Sequence, residues 1–85
     1  MTINLHKNFK KQYDKLTKSQ IIRFKERRNI FLQDEFNIIL NNHALKGKYQ
    51  GYRSINVTGD IRVIYRKNSD VAFFVEIGSH SKLYG

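Results

Sequence analysis

Six side chains in the second half of this 85-residue chain could move protons or stabilise negative charge: His43, Asp60, Arg62, Glu76, His80 and Tyr84. Glu76, His80 and Tyr84 recur at every fourth residue in the closing stretch VEIGSHSKLYG. Imidazole, carboxylate and guanidinium together suit RNA cleavage. A base takes the proton of the 2′-hydroxyl, a cation faces the charge growing on the phosphorane, and an acid protonates the leaving 5′-oxygen.

Each of these residues also has a plainer use. His43, in NNHALKG, could bond its own loop backbone, and Asp60, after VTG, is a common hairpin-turn residue. Arg62 and Arg66 could form the solvated face of one strand, and Glu76 could pair with Arg62 across strands. Lys46 and Lys48 read most simply as loop charges, Tyr49 and Tyr52 as rim or core aromatics. Arg53 shares the parity of Ile55, which would lay its stem near a helix edge. A Ser-His-Asp hydrolase could be drawn from Ser79, His80 and Asp60, but no nucleophile elbow frames the serine. No metal site is expected, because there is no cysteine and the sequence has no His-x-x-x-His or carboxylate cluster. The five glycines form neither a P-loop nor a dinucleotide fingerprint, and no cofactor is expected.

Charge narrows the partners. Sixteen Lys and Arg against seven Asp and Glu give a net charge of +9 and a pI near 10.1. Such a surface calls for an anion, with nucleic-acid phosphate first, an acidic protein second and a membrane surface third. The longest apolar runs are too short for a membrane span or a signal peptide, and the absence of cysteine fits a reducing cytoplasm. A chain this short is expected to fold as one domain over residues 1–85.

The elements that must position these groups follow from periodicity. Alternation in TINLH predicts a short strand with Ile3 and Leu5 on one face. Phe9, Tyr13 and Leu16 then fall on one helical stripe. TKSQ, residues 17–20, is a capping box that should start a second helix, with Ile21, Phe24, Phe31 and Leu32 facing inward. The stretch from Asp34 to Gln50 reads as a loop carrying Ile38 to Leu40 and Leu45 into the core. YRSINV, IRVIYR and VAFFVEIG read as three antiparallel strands, with Gly59 and Asn68 available for positive φ in the turns. The predicted fold is α+β in two layers, ordered strand, helix, helix, strand, strand, strand. The helical hairpin covers one face of a mainly antiparallel twisted sheet. The other face would be open, with Ser54, Asn56, Arg62 and Glu76 on it and Ile55, Ile61, Val63, Val75 and Ile77 on the opposite side.

LKGKYQGYRSINVTGDIRVIYR, residues 45–66, together with the terminal IGSHSKLYG, resembles the RelE/ParE toxin superfamily, and within it most closely the YafQ-type mRNA interferases of bacterial type II toxin–antitoxin systems. The resemblance spans essentially the whole chain. It implies a ribosome-dependent endoribonuclease that enters the ribosomal A site and cuts mRNA there. It also implies a cognate antitoxin as partner and a toxin–antitoxin complex able to bind operator DNA. The motif positions match His43, Asp60, His80 and Tyr84, and the arginine of the related RelE- and YoeB-like strand matches Arg62. Asn56 stands where some relatives have a second histidine, Ile61 where they have tryptophan, and Glu76 where they have arginine. On this reading His80 is acid or proton shuttle and Arg62 faces the phosphorane. Asp60 or His43 is base or orients the 2′-hydroxyl, Tyr84 positions substrate, and Glu76 is a further base candidate. Lys46, Lys48, Arg53 and Lys82 would hold RNA phosphates. Two other functions fit the same fold or charge: a ParE-like gyrase inhibitor, and a non-catalytic nucleic-acid-binding module.

Overall fold

The computed structural model describes residues 1–84. In chain order it holds β1 (Thr2–Leu5), α1 (Lys7–Tyr13), α2 (Lys18–Gln33), β2 (His43–Ala44), β3 (Arg53–Asn56), β4 (Ile61–Asn68), β5 (Val71–Ser79) and α3 (His80–Tyr84). Single 3-10 turns at Ile38–Leu40 and Gly47–Tyr49 flank β2. The sheet order is β1-β5-β4-β3-β2, with β1 parallel to β5 and the other neighbours antiparallel. The expected α+β fold is therefore present, with one strand (β2) and one short helix (α3) more than expected.

The helices start where side chains can satisfy their free amides. His6 Nδ1 accepts from the Asn8 amide at 3.1 Å and caps α1. In the TKSQ box, the Gln20 amide donates to Thr17 Oγ1 at 3.2 Å and the Thr17 amide to Gln20 Oε1 at 2.9 Å, so α2 begins at Lys18.

The core lies between the helical hairpin and one sheet face. Phe9, Phe24, Phe31, Tyr65 and Phe74 interlock there, with ring centroids of adjacent pairs 4.9–6.2 Å apart in tilted or edge-on geometry. Each buried ring contributes roughly 1.5–3 kcal/mol through removal of apolar surface from water. Leu40 joins them fully buried, but its neighbours do not: Ile38 is 94% exposed and Leu45 only half-buried. The 3-10 turn explains the difference, since three residues per turn point successive side chains in three directions and only one can face inward. Leu32, expected inward, is likewise exposed, because its neighbour Phe31 takes the core-facing position.

Two further corrections concern the strands. Positive φ falls at Ser69, not Asn68, and Gly59 does not use it; Asn68 is still in the β4 ladder opposite Val71. Val75 also leaves the core side. Ile64 pairs with Glu76 while Tyr65 pairs with Phe74, so Val75 is an extra residue in a β-bulge. Alternation therefore changes phase within β5: Ala72 and Phe74 face the helices before the bulge, and Ile77 does after it. Phe73, Val75 and Glu76 are left to the other face, lining one cavity there.

Candidate active site

Side chains on the face away from the helices fall into rows set by strand register. One row runs Asn56, Arg62, Gly78; the next runs His43, Ser54, Ile64, Glu76; a third, past the bulge, runs Arg66, Phe73, Asn4. Two aromatic segments fold over this face. Tyr49 comes from the Gly47–Tyr49 turn, and Tyr84 from α3.

Four of the six predicted acid–base residues gather at the end of the sheet where β5 passes into α3. The His80 amide donates to the Asp60 carbonyl at 2.9 Å, which ties the start of α3 to the β3–β4 turn. The imidazole of His80 is exposed and meets the Tyr84 ring edge-on at 4.7 Å between centroids. Arg62 lies in the adjoining row opposite Gly78 and donates through Nη1 to the Thr58 carbonyl at 2.9 Å, which aims its guanidinium at the same turn. A cavity of about 390 Å³ lies beside this corner, between it and the helical hairpin: Asp60, Gly78, Ser79 and Lys82 line it together with Gln12, Lys15 and Gln20, whereas Arg62, His80 and Tyr84 do not.

Glu76 is one row away. It does not pair with Arg62, whose register partner is Gly78. The Tyr49 hydroxyl donates to Glu76 instead. Tyr49 in turn meets Tyr84 edge-on at 6.1 Å, so contacts run unbroken from Glu76 through Tyr49 and Tyr84 to His80. Burial, followed by the hydrogen bond and charge of Glu76, pushes the Tyr49 hydroxyl up to about 12, so at neutral pH it is a donor.

His43 is on the same face but at its far edge, with two strands between it and Glu76, about 14 Å away at the usual strand spacing. Its ring is exposed and Nδ1 lies 2.9 Å from the Asn41 carbonyl, which is the local bond expected of a loop histidine. The structure thus gathers Asp60, Arg62, His80 and Tyr84, attaches Glu76 through Tyr49, and leaves His43 apart.

Of the four predicted phosphate-binding cations, Lys46, Lys48 and Lys82 are exposed, and Lys82 lines the same cavity as Asp60. Arg53 is on the helix side. Its Nε donates to Asn42 Oδ1 at 2.8 Å and its guanidinium lies 5.1 Å from the Phe36 ring centroid. It belongs with Ile55, as parity indicates, and holds the β2 connection in place.

Sequence reasoning passed over Tyr49, treating it as a rim or core aromatic. The available signal was its position between Gly47 and Gly51, whose φ values of 67° and 89° turn the segment back over the sheet. Ser54 and Asn56, read from the sequence as open-face residues, and Tyr84, read as a site residue, share a feature that periodicity does not reveal. Ser54 Oγ, Asn56 Oδ1 and Tyr84 Oη are buried without a hydrogen-bond partner among the described residues, as are Nε and Nη1 of Arg27 on α2. Buried polar atoms are ordinarily paired, and unpaired ones on one sheet face mark a surface prepared for groups from outside the chain.

The model of the YafQ family, bacterial toxins of type II toxin–antitoxin systems, matches residues 1–85. A search of curated proteins finds no match. Among solved structures, Escherichia coli BL21(DE3) YafQ superposes with a TM-score of 0.84 at 21% identity, covering 98% of this chain and 97% of that one. The YafQ chain of the E. coli DinJ–YafQ toxin–antitoxin complex gives 0.80 at 22%, covering 98% and 96%. The archaeal RelE–RelB complex from Pyrococcus horikoshii gives 0.76 at 24%, covering 95% and 96%. These structural likenesses carry the fold, while the family match spans the motifs that hold Asp60, His80 and Tyr84. The chain belongs to the YafQ toxin family of bacterial type II toxin–antitoxin systems.

Proposed function

We propose that this toxin is a ribosome-dependent mRNA endoribonuclease acting from the Asp60, Arg62, His80 and Tyr84 corner. The observation that carries the reading is an exposed imidazole edge-on to Tyr84, tied through its backbone to Asp60, with the Arg62 guanidinium bonded to the same β3–β4 turn, on a protein of net charge +9. Asp60 draws the proton from the 2′-hydroxyl, whose oxygen attacks the adjacent phosphorus. Arg62 faces the negative charge of the phosphorane, and His80 gives its proton to the leaving 5′-oxygen. The products are a 2′,3′-cyclic phosphate and a 5′-hydroxyl, with side chains rather than a metal in all three roles. Tyr84 fixes the His80 ring and offers a face for a base, while Lys82 and the lysines of the β2–β3 connection attract phosphate. His43, at the sheet edge, is better placed to touch RNA or ribosome than to take the reacting proton.

A cognate antitoxin is the second expected partner, as in the DinJ–YafQ and RelE–RelB complexes. An acidic segment laid over the basic open face would block the corner directly, and the paired proteins would be the form that binds operator DNA.

Mapping mRNA 5′ ends after induction in cells tests the reading. New ends within translated codons are expected with the wild-type chain and not with His80→Ala. Growth arrest with no new ends and with inhibited DNA supercoiling would replace this reading with gyrase inhibition. Salt-sensitive RNA binding with neither effect would leave a binding module.

A further inference from the structure

A second cavity, of about 420 Å³, opens on the other side of Glu76 from His80. It falls at the lower end of the roughly 300–1,000 Å³ typical of small-molecule sites. Its floor is the Asn4, Phe73, Arg66 row, and its opposite wall is Lys48, Tyr49 and Tyr52. Glu76 is the one residue common to the linings of this cavity and of the cavity beside Asp60.

Three features restrict what fits. Lys48 and Arg66 have no carboxylate partner among the described residues, whose ion pairs are Met1–Asp70, Arg23–Glu26 and Lys67–Glu35. They rest instead on aromatic faces, Lys48 Nζ 5.2 Å from the Tyr49 centroid and the Arg66 guanidinium 5.7 Å from that of Phe73. Lys48 on one wall and Arg66 on the floor both offer charge to an anion in the cavity. The rings of Phe73 and Tyr52 suit a flat body. Glu76 accepts from Tyr49 through Oε2, and Oε1 takes none of the described hydrogen bonds. A bare phosphate would be repelled by that carboxylate, so the ligand must carry N–H donors at the end away from its anion.

A nucleotide has this layout, and the carboxylate discriminates among bases. Guanine presents two adjacent donors, N1–H and the 2-amino group. Adenine and cytosine set a ring-nitrogen lone pair beside their single amino group, and uracil flanks its N–H with two carbonyls. All three place an acceptor against Glu76.

We propose that this cavity binds one guanine nucleotide of the RNA, with Glu76 reading the Watson–Crick edge, Phe73 and Tyr52 flanking the base, and Lys48 and Arg66 holding phosphate. The assignment rests on the reading of this chain as an RNA-cutting enzyme and gives that enzyme a base preference next to the cleaved bond. It also accounts for glutamate at position 76, where the acid–base chemistry has no need of it.

The test is an amide NMR titration of the full chain carrying His80→Ala with 5′-GMP, 5′-AMP and inorganic phosphate. GMP should give saturable shifts at Phe73, Glu76 and Lys48, with affinity at least about tenfold above AMP, on the scale expected of a buried polar contact. Glu76→Gln should reduce that preference to about twofold or less, and Arg66→Ala should weaken GMP and AMP alike. Equal binding of GMP and AMP, shifts reproduced by phosphate alone, or no saturable shift at these residues would overturn the proposal. Selective GMP binding without mRNA cleavage in cells would sink the cleavage reading and leave the pocket. Cleavage without GMP binding would do the reverse.

Discussion

Two tyrosines each donate a hydrogen bond to a glutamate, on opposite faces of the same sheet, and their surroundings differ. On the helix side, Tyr65 donates to Glu35 at 2.7 Å, Lys67 reaches the other Glu35 oxygen at 2.8 Å, and Asn42 donates to the Tyr65 hydroxyl at 2.7 Å. Arg53 then donates to Asn42, so the donors and acceptors of this cluster close on one another. On the open face, Tyr49 donates to Glu76, but Ser54 Oγ, Asn56 Oδ1 and Tyr84 Oη are buried with no partner. A closed polar network fixes a fold; an unfinished one, set in positive charge, waits for a ligand.

Substitutions should separate the two clusters by what each disturbs. The largest effect belongs to the open face: His80→Ala or Arg62→Ala should lower mRNA cleavage by about 100-fold or more. Because His80 is exposed, the melting free energy of His80→Ala should change by no more than about 0.5 kcal/mol. A comparable loss of stability and activity together would make His80 structural.

Next is Tyr65→Phe, which leaves Glu35 and Asn42 short of a partner in a buried setting and should cost about 1–3 kcal/mol in urea unfolding. Cleavage per folded molecule should stay unchanged. Tyr49→Phe should show the opposite balance, a smaller stability loss with altered RNA handling.

The third prediction concerns pH. Burial opposes ionisation of Glu35, but Lys67 and Tyr65 outweigh it and hold the carboxyl below its ordinary value of 4.5. The unfolded chain therefore takes up this proton at higher pH than the folded one. The contribution of Glu35 is complete above about pH 4.5 and lost as pH falls through its lower folded value. Glu35→Gln should flatten that part of the acid unfolding curve, and an unchanged acid limb would remove Glu35 from the network's electrostatics.

The smallest effects are those of single surface cations. Lys82→Ala should weaken RNA binding several-fold and reduce the salt slope by about one, as loss of one phosphate contact does. Arg53→Ala, on the other face, should leave the salt slope alone and lower stability. Reversal of these two would move the RNA surface to the helix side.

What could be read from sequence was what is local. Thr17 and Gln20 are three residues apart, and their reciprocal bonds are where the capping box puts them. Asp60, Arg62, His80 and Tyr84 were legible as motif positions, and the β4–β5 hairpin with the backbone bond from His80 to Asp60 brings them together. The bulge at Val75 has no local signature, since one extra residue in a strand is defined only against its partner. β2 is two residues long and exists only because β3 pairs with it. Tyr49 meets Glu76 across twenty-seven residues of sequence, a distance over which periodicity carries no information.

The parallel pairing of β1 with β5 has a consequence in time. The β4–β5 hairpin joins neighbours through a two-residue turn, a unit that can form within about 1–10 μs. Thr2 meets Val71 only after a loop spanning nearly the whole chain has closed, and contacts of such separation are costly to form before others support them. The Asp60–His80 corner is built on the hairpin, whereas the cavity on the other side of Glu76 takes Asn4 and His6 from the late-docking strand and its end. In refolding experiments, protection of the Arg62 and Gly78 amides should precede that of β1, so the proposed cutting site would be assembled before the proposed site of base choice.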